Sequence, residues 1–230
     1  MYSMAEIIVS LTPEKRKENG IMDRLLFRPL SFPLSWLALR MGLSPGFVSY
    51  FSGLICIAGG ILFIRSDWNF ATIGFILFFF FSVLDCVDGN MARVQGKAGP
   101  WGSWADAVTG FIAYTSMFFA TGLYVYWKSL WWPVLLVTGL TSSANLLTRV
   151  AFQIYRNIEG EKARASVSFE KMLAENVGIT GFLTPLLLAF HLCNFLPGMW
   201  FIIWFNAAFY GGGCAVTIIK LARKAVKNAA

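Results

Sequence analysis

Long apolar segments recur along this chain, and they restrict its fold more than any other feature of the sequence. Each of six segments supplies the roughly 20 residues that an α-helix needs to cross a bilayer. They occupy residues 45–64, 69–88, 102–127, 131–155, 177–196 and 199–221. The chain lacks the short alternating segments of a membrane barrel, and helices satisfy their own backbone polar groups in lipid. The sequence therefore predicts an all-α integral membrane protein with six transmembrane helices.

Composition argues against a soluble domain. Of the 230 residues, 57% are hydrophobic and 13% are charged, whereas soluble domains carry roughly 25% charged residues. The net charge of +7 comes from Lys and Arg that flank the apolar segments. Anionic headgroups and membrane orientation explain such flanking charges better than nucleic acid does. We therefore expect membrane lipids as partners, and no nucleic acid.

The N-terminal segment, residues 1–44, differs from the rest. Between residues 22 and 45, Leu, Phe and Trp alternate with three Arg and are interrupted by three Pro. This mixture predicts an amphipathic helix on the membrane surface, followed by a turn into the first span. An ordinary positively charged lead-in is the alternative. Residues 45–230 would form the membrane domain.

Lys and Arg are distributed unevenly between the two sides of the predicted bundle. The N-terminal segment, the connections near residues 93–97 and 156–171, and the C-terminal residues carry most of them. The opposite side receives only Arg65 and Lys128. Because basic residues favour the cytoplasmic side, the sequence predicts that both termini are cytoplasmic, in a protein of the cytoplasmic membrane.

Three aspartates lie where the second apolar segment gives way to the third. Asp85 and Asp88 share one helical face, and Asp106 falls in the first turns of the next helix. A short connection joins these helices, so the three carboxylates would meet at the cytoplasmic end of the bundle. Like charges repel strongly in a low dielectric. We therefore predict that they bind one or two divalent cations, with magnesium, manganese or calcium favoured by oxygen ligands.

The neighbouring residues are suited to a phosphate ligand. Arg93 offers a planar guanidinium, and Gly89 and Gly102 would allow a bulky ligand to approach the backbone. Two ions about 4 Å apart could clamp a phosphoryl group during in-line displacement. Arg149 and Arg156 share a face near the cytoplasmic end of the fourth span. They could bind an acceptor phosphate or a lipid phosphate, or could simply extend to the interface.

The spacing of these residues resembles the motif of the CDP-alcohol phosphotransferase family, D-x2-D-G-x2-A-R-x8-G-x3-D-x3-D. The matching positions are Asp85, Asp88, Gly89, Ala92, Arg93, Gly102 and Asp106. The stretch LSPGFVS also resembles the family's T-P-N-x-x-T segment, with Gly46 where Asn is common. The resemblance implies an enzyme of phospholipid biosynthesis. It would move a phosphoalcohol group, such as phosphatidyl, from a CDP-linked donor to an alcohol acceptor and release CMP.

The resemblance also implies a role for each matching residue. The aspartates would hold two divalent metals over the pyrophosphate, with Asp88 and Asp106 as candidate catalytic residues. The nucleotide would contact Gly89, Ala92 and Arg93, with Ser49 nearby. A homodimer is expected, with each site open to the cytoplasm and the inner leaflet.

Gly110 occupies the position of the motif's fourth Asp, which is the family's expected general base and a metal ligand. Glycine can perform neither role. The acceptor could already be ionised, or Asp106 or a bound water could take its proton. Glu170 or Glu175 could substitute for the missing acid. The chain could instead bind CDP-lipid or metal without turnover, or carry an engineered Asp→Gly change. A cation transporter is a weaker alternative, because its acids would lie near the bilayer midplane.

Overall fold

The computed structural model describes residues 2–13, 16, 19–159 and 176–229, whose regular structure is helical throughout. The helices are α1 (Met4–Val9), α2 (Arg28–Arg40), α3 (Pro45–Leu62), α4 (Trp68–Val94), α5 (Pro100–Ser129), α6 (Pro133–Glu159), α7 (Thr184–Leu192), α8 (Leu196–Asn206) and α9 (Gly212–Ala229). Wider π-helical turns, Asp23–Phe27, Ile179–Leu183 and Ala207–Gly211, lead into α2, α7 and α9. The all-α prediction is confirmed for this part of the chain.

Five helical stretches are long and apolar enough to cross a bilayer. They are Pro45–Leu62, Trp68–Val94, Pro100–Ser129, Pro133–Tyr155 and Leu196–Val226. They correspond to the first four predicted spans and the sixth. At the fifth position the structure has a shorter apolar helix, Ile179–Leu192. Gly181 interrupts it with non-helical backbone angles (φ −95°, ψ −135°), so the six-span count remains a prediction.

Helix α2 precedes the first span and packs against α4. The residues that it buries are Arg28, Ser31, Ser35 and Ala38, whose spacing places them on one helical face. The hidden face of α2 is therefore mainly polar, and it contacts the helix that carries the first two motif aspartates.

Close packing of α3 against its neighbours organises the bundle. A Cβ atom at Gly74 of α4 would lie 3.0 Å from the carbonyl oxygen of Gly59 in α3. A Cβ atom at Gly53 of α3 would lie 3.1 Å from Cγ2 of Thr109 in α5. Small residues at such contacts let membrane helices approach closely. Helix α3 is thereby held against both helices that carry the acidic motif.

The Gly59–Gly74 contact predicts a loss of stability in Gly74→Ala. The added methyl group would press against the buried Phe63 ring and the backbone of α3, and overpacking of this kind costs about 1–3 kcal/mol. We expect a lower unfolding temperature for the detergent-solubilised variant. Gly139→Ala is the control, because the Cβ position at Gly139 in α6 has no neighbour within 4 Å. Equal unfolding temperatures for the two variants would contradict the packing described here.

Candidate active site at one end of the α4–α5 pair

The end of α4 turns the chain sharply just after the first half of the motif. Gly96 adopts a left-handed conformation with φ +64°, which glycine accommodates without strain. Its N–H donates to the carbonyl of Arg93 (3.1 Å), and the N–H of Lys97 donates to that of Ala92 (2.9 Å). This pair of bonds is the Schellman helix end. Since α5 begins at Pro100, Asp106 lies at the same end of the bundle as α4's aspartates.

The three motif aspartates lie at the same end of the α4–α5 pair, with Asp85 and Asp88 near the end of α4 and Asp106 in the first turns of α5. Asp88 is buried, and its Oδ2 accepts a hydrogen bond from the Ser49 hydroxyl of α3. Asp106 is exposed at the start of α5. The structure therefore brings Ser49 into contact with Asp88, and the expected place of Ser49 near the nucleotide stays a prediction.

The chemistry of these side chains fits a divalent metal ion, although they do not form a closed cluster. In the described ranges, no group of three or more His, Cys, Asp or Glu side chains is placed to hold a metal ion. The available donors are carboxylate oxygens with a serine hydroxyl beside them, and magnesium and manganese prefer oxygen ligands. Because Asp106 is exposed, packing does not prevent its side chain from turning toward α4. Metal binding by this site stays a prediction.

Arg93 lies directly against Gly89, one turn earlier on α4. A Cβ atom at Gly89 would be 3.2 Å from Nη1 and 3.5 Å from Nη2 of Arg93. The guanidinium thus occupies space that any side chain at residue 89 would compete for. Its Nε atom is buried and has no hydrogen-bond partner among the described residues, whereas Nη1 and Nη2 carry the other four N–H donors.

Sequence reasoning missed two residues at this site, Asn90 and Arg28. Asn90 Oδ1 accepts hydrogen bonds from Arg93 Nη2 (2.7 Å) and from Arg28 Nη1 (3.0 Å). From sequence, Arg28 is only one of the basic residues of the N-terminal segment. The spacing of polar residues along one face of α2 could have indicated a buried polar contact. Nothing local in the sequence identifies the residue of α4 that this face contacts.

Gly110 faces Arg149 of α6. Its Cβ position would lie 4.0 Å from Arg149 Nη1. Arg149 Nε donates to Asn145 Oδ1 (3.0 Å), and the guanidinium carbon lies 4.3 Å from the centre of the Tyr114 ring. A cation held by an amide and an aromatic face therefore stands beside the position where the family motif has its fourth carboxylate.

The remaining predicted residues are less constrained by the structure. Gly102 is exposed, and its Cβ position has no neighbour within 4 Å, so packing within the described chain does not require glycine there. The side chain of Arg156 lies outside the described structure. The same holds for Glu170 and Glu175, and for the surrounding connection.

The family comparison agrees with the motif. The chain matches the family model for CDP-alcohol phosphatidyltransferase over residues 42–219, which is most of its length.

The chain belongs to the CDP-alcohol phosphatidyltransferase family.

Two curated relatives carry the same name, phosphatidylinositol phosphate synthase. The protein from Streptomyces avermitilis is 33% identical over 96 residues, which cover 41% of this chain and 38% of that relative. The protein from Mycobacteroides abscessus is 28% identical over 152 residues, which cover 65% of this chain and 63% of that relative. This chain therefore spans less than two thirds of the length of either relative.

The contact between Gly89 and Arg93 predicts that Gly89→Ala will weaken binding of CMP, the nucleotide of the family's donor. The methyl group would displace the guanidinium, and loss of one charge-assisted hydrogen bond costs about 1.5 kcal/mol, or roughly tenfold in affinity. Calorimetric titration with CMP would measure this change. The unfolding temperature should not fall, since alanine favours a helix over glycine. Unchanged CMP affinity would show that the position of Arg93 does not depend on Gly89.

Proposed function

We propose that this chain transfers a phosphatidyl group from CDP-diacylglycerol to an alcohol acceptor and releases CMP, as a step of phospholipid biosynthesis. The observation that carries this proposal is the grouping of Asp85, Asp88 and Asp106. They lie at one end of the α4–α5 pair, in a chain whose family is described by phosphatidyl transfer.

Each side chain has a distinct part in the proposed reaction. Asp85, Asp88 and Asp106 would hold two magnesium or manganese ions, which neutralise pyrophosphate charge when bound. The Ser49 hydroxyl fixes one carboxylate oxygen of Asp88. Arg93 donates from its guanidinium to a phosphate oxygen of the donor. These contacts orient the donor phosphorus for attack.

Bond making and bond breaking occur at the donor phosphorus that bears the diacylglycerol. The acceptor oxygen forms a new bond to that phosphorus, and the bond from phosphorus to the oxygen of CMP breaks. CMP leaves with the electron pair of the broken bond. The acceptor hydroxyl must also lose its proton, and this step is affected by the glycine at position 110.

Arg149 favours an acceptor that brings its own negative charge. Its guanidinium lies beside Gly110, where it can bind a phosphate or carboxylate of the acceptor. That anion can then take the proton of the attacking hydroxyl, with Asp106 as the alternative proton acceptor. Both relatives are named for making a phosphatidylinositol phosphate, a lipid with a phosphate on its headgroup. A phosphorylated polyol is therefore the first acceptor class to test.

Gly110 also supports one rival function, a membrane protein that binds CDP-lipid and divalent metal with little or no turnover. The loss of a general base typically reduces rates by about 10²–10⁴-fold. Binding of the donor without release of CMP would identify this rival.

The membrane arrangement forms part of the proposal. We place Ile179–Leu192 as the fifth of six crossings and α2 at the inner surface. The acidic site and both termini face the cytoplasm, across the cytoplasmic membrane. The uneven distribution of Lys and Arg supports this orientation. The homodimer is proposed from the family resemblance.

Release of CMP from CDP-diacylglycerol tests the proposed activity directly. With magnesium or manganese and a panel of acceptors, we expect the wild-type chain to release CMP. Asp85→Asn and Asp88→Asn should reduce the rate by at least about 100-fold, the order expected for loss of a group that acts in the transition state. Asp67→Asn is the matched control. Asp67 caps the opposite end of α4 through the N–H groups of Asn69 (2.8 Å) and Phe70 (3.0 Å).

An unchanged rate in both site variants would contradict the assigned roles of Asp85 and Asp88. Binding of donor by the wild-type chain, with no CMP released to any acceptor, would favour the non-catalytic rival.

Gly110→Asp tests the role of Arg149. The new carboxylate would lie within reach of the guanidinium and neutralise it, so we expect the KM for anionic acceptors to rise about tenfold. That factor corresponds to ~1.4 kcal/mol, within the range for a charge-assisted hydrogen bond. Gly110→Asn, which adds similar bulk without charge, should raise KM less. A large gain in kcat with unchanged KM would instead mean that the natural chain simply lacks its base.

A further inference from the structure

A buried polar network joins α2 to the acidic motif, and Asn90 is at its centre. Asn90 and Ser31 are fully buried, as is Ser35, and Arg28 is 9% exposed. Asn90 Nδ2 donates to the hydroxyls of Ser31 (2.9 Å) and Ser35 (3.1 Å). Its Oδ1 accepts from Arg28 and Arg93. Burial of so many polar groups is costly unless each is satisfied.

We propose that Asn90, Ser31, Ser35 and Arg28 are positioning residues that hold Arg93 ready for the donor phosphate. This inference rests on the proposed function, since it assumes that Arg93 binds the donor. It assigns a role to α2, which lies before the residues that match the family model.

The hydroxyl groups of α2 determine which way the Asn90 amide faces. The Ser35 hydroxyl donates to the carbonyl of Ser31 (2.7 Å), and the Ser31 hydroxyl donates to the carbonyl of Arg28 (2.8 Å). Each hydroxyl has only one hydrogen, so toward Asn90 both can act only as acceptors. The NH₂ group of Asn90 must therefore face α2, and its carbonyl oxygen must face the two guanidinium groups.

The amide oxygen in turn determines where the Arg93 guanidinium lies. Nη2 is held by Asn90 Oδ1, and Gly89 leaves the space that the guanidinium fills. Nε remains without a partner among the described residues. Arg28 has a second acceptor at the carbonyl of Cys86 (3.5 Å).

Two guanidinium groups, those of Arg28 and Arg93, share one amide oxygen. A donor phosphate bound to Arg93 would be attracted by this pair of guanidinium groups. Rotation of the Asn90 amide by half a turn would instead present NH₂ to both cations and repel them.

The test is a double variant, Ser31→Ala with Ser35→Ala, which removes the hydroxyls that orient the amide. Neither side chain contacts Arg93 in the network. The double variant therefore does not directly remove a contact with CDP-diacylglycerol. We expect the KM for CDP-diacylglycerol to rise about tenfold and the affinity for CMP to fall by a similar factor. The kcat should change less than twofold, because the variant leaves the three motif aspartates and Arg149 unchanged.

The matched control removes two buried hydroxyls elsewhere, in Ser82→Ala with Thr121→Val. Ser82 of α4 lies near the carbonyl of Ile179 (3.3 Å), and Thr121 of α5 donates to the carbonyl of Met117 (2.7 Å). This control variant should lower the unfolding temperature without raising the KM for CDP-diacylglycerol. The single Ser35→Ala variant repeats the comparison with a smaller loss of buried hydrogen bonds.

Asn90→Asp in the Ser31→Ala, Ser35→Ala background distinguishes orientation from general damage. A carboxylate presents an acceptor oxygen to Arg28 and Arg93 whichever way it rotates. We therefore expect this triple variant to recover part of the lost CMP affinity, because one carboxylate restores the acceptor oxygen and neutralises only one of the two guanidinium charges. A merely structural defect would not be repaired by adding a buried charge.

The outcomes separate the inference from the proposed function. If the double variant matches its control in KM and CMP affinity, or if Asn90→Asp gives no recovery, the positioning role is wrong and the function is unaffected. If the wild-type chain neither binds CMP nor releases it from CDP-diacylglycerol, the proposed function is wrong, and this inference with it.

Discussion

The placement of three carboxylates at one end of a membrane bundle is the constraint on which the proposed site depends. Asp85 and Asp88 lie in α4, which is long and apolar enough to cross a bilayer, and Asp106 lies in the first turns of α5. Charges in such surroundings are costly unless partners offset them. The Ser49 hydroxyl donates a hydrogen bond to Asp88. Divalent cations would supply positive charge.

The two sides of the site differ in how the chain provides its cations. On the donor side, Arg28 and Arg93 share one amide oxygen, and α2 fixes its direction. On the acceptor side, Arg149 is held by Asn145 and the Tyr114 ring beside Gly110. A carboxylate at position 110 would compete for Arg149. In the proposed function, the glycine would exchange a built-in base for a positive site open to an anionic acceptor.

Much of the fold and part of the site could be predicted from sequence. Hydropathy identified the long spans because a crossing helix must be apolar over its whole length. Short-range spacing placed Asp85 and Asp88 on one face and Asp106 at the same end. Gly181 breaks the helix at the fifth apolar segment, and hydropathy does not register such a break. The Arg28–Asn90 contact joins residues 62 positions apart, a pairing that no local pattern contains.

Binding of manganese to the purified protein tests the central claim most directly. Paramagnetic resonance reports free Mn²⁺ in a titration, without requiring an acceptor or turnover. We expect saturable binding to the wild-type chain, competed by magnesium and weakened at least tenfold by Asp85→Asn, Asp88→Asn or Asp106→Asn. Asp67→Asn, at the opposite end of α4, should bind as the wild type does. Wild-type affinity in all three site variants, or no saturable binding at all, would contradict the account.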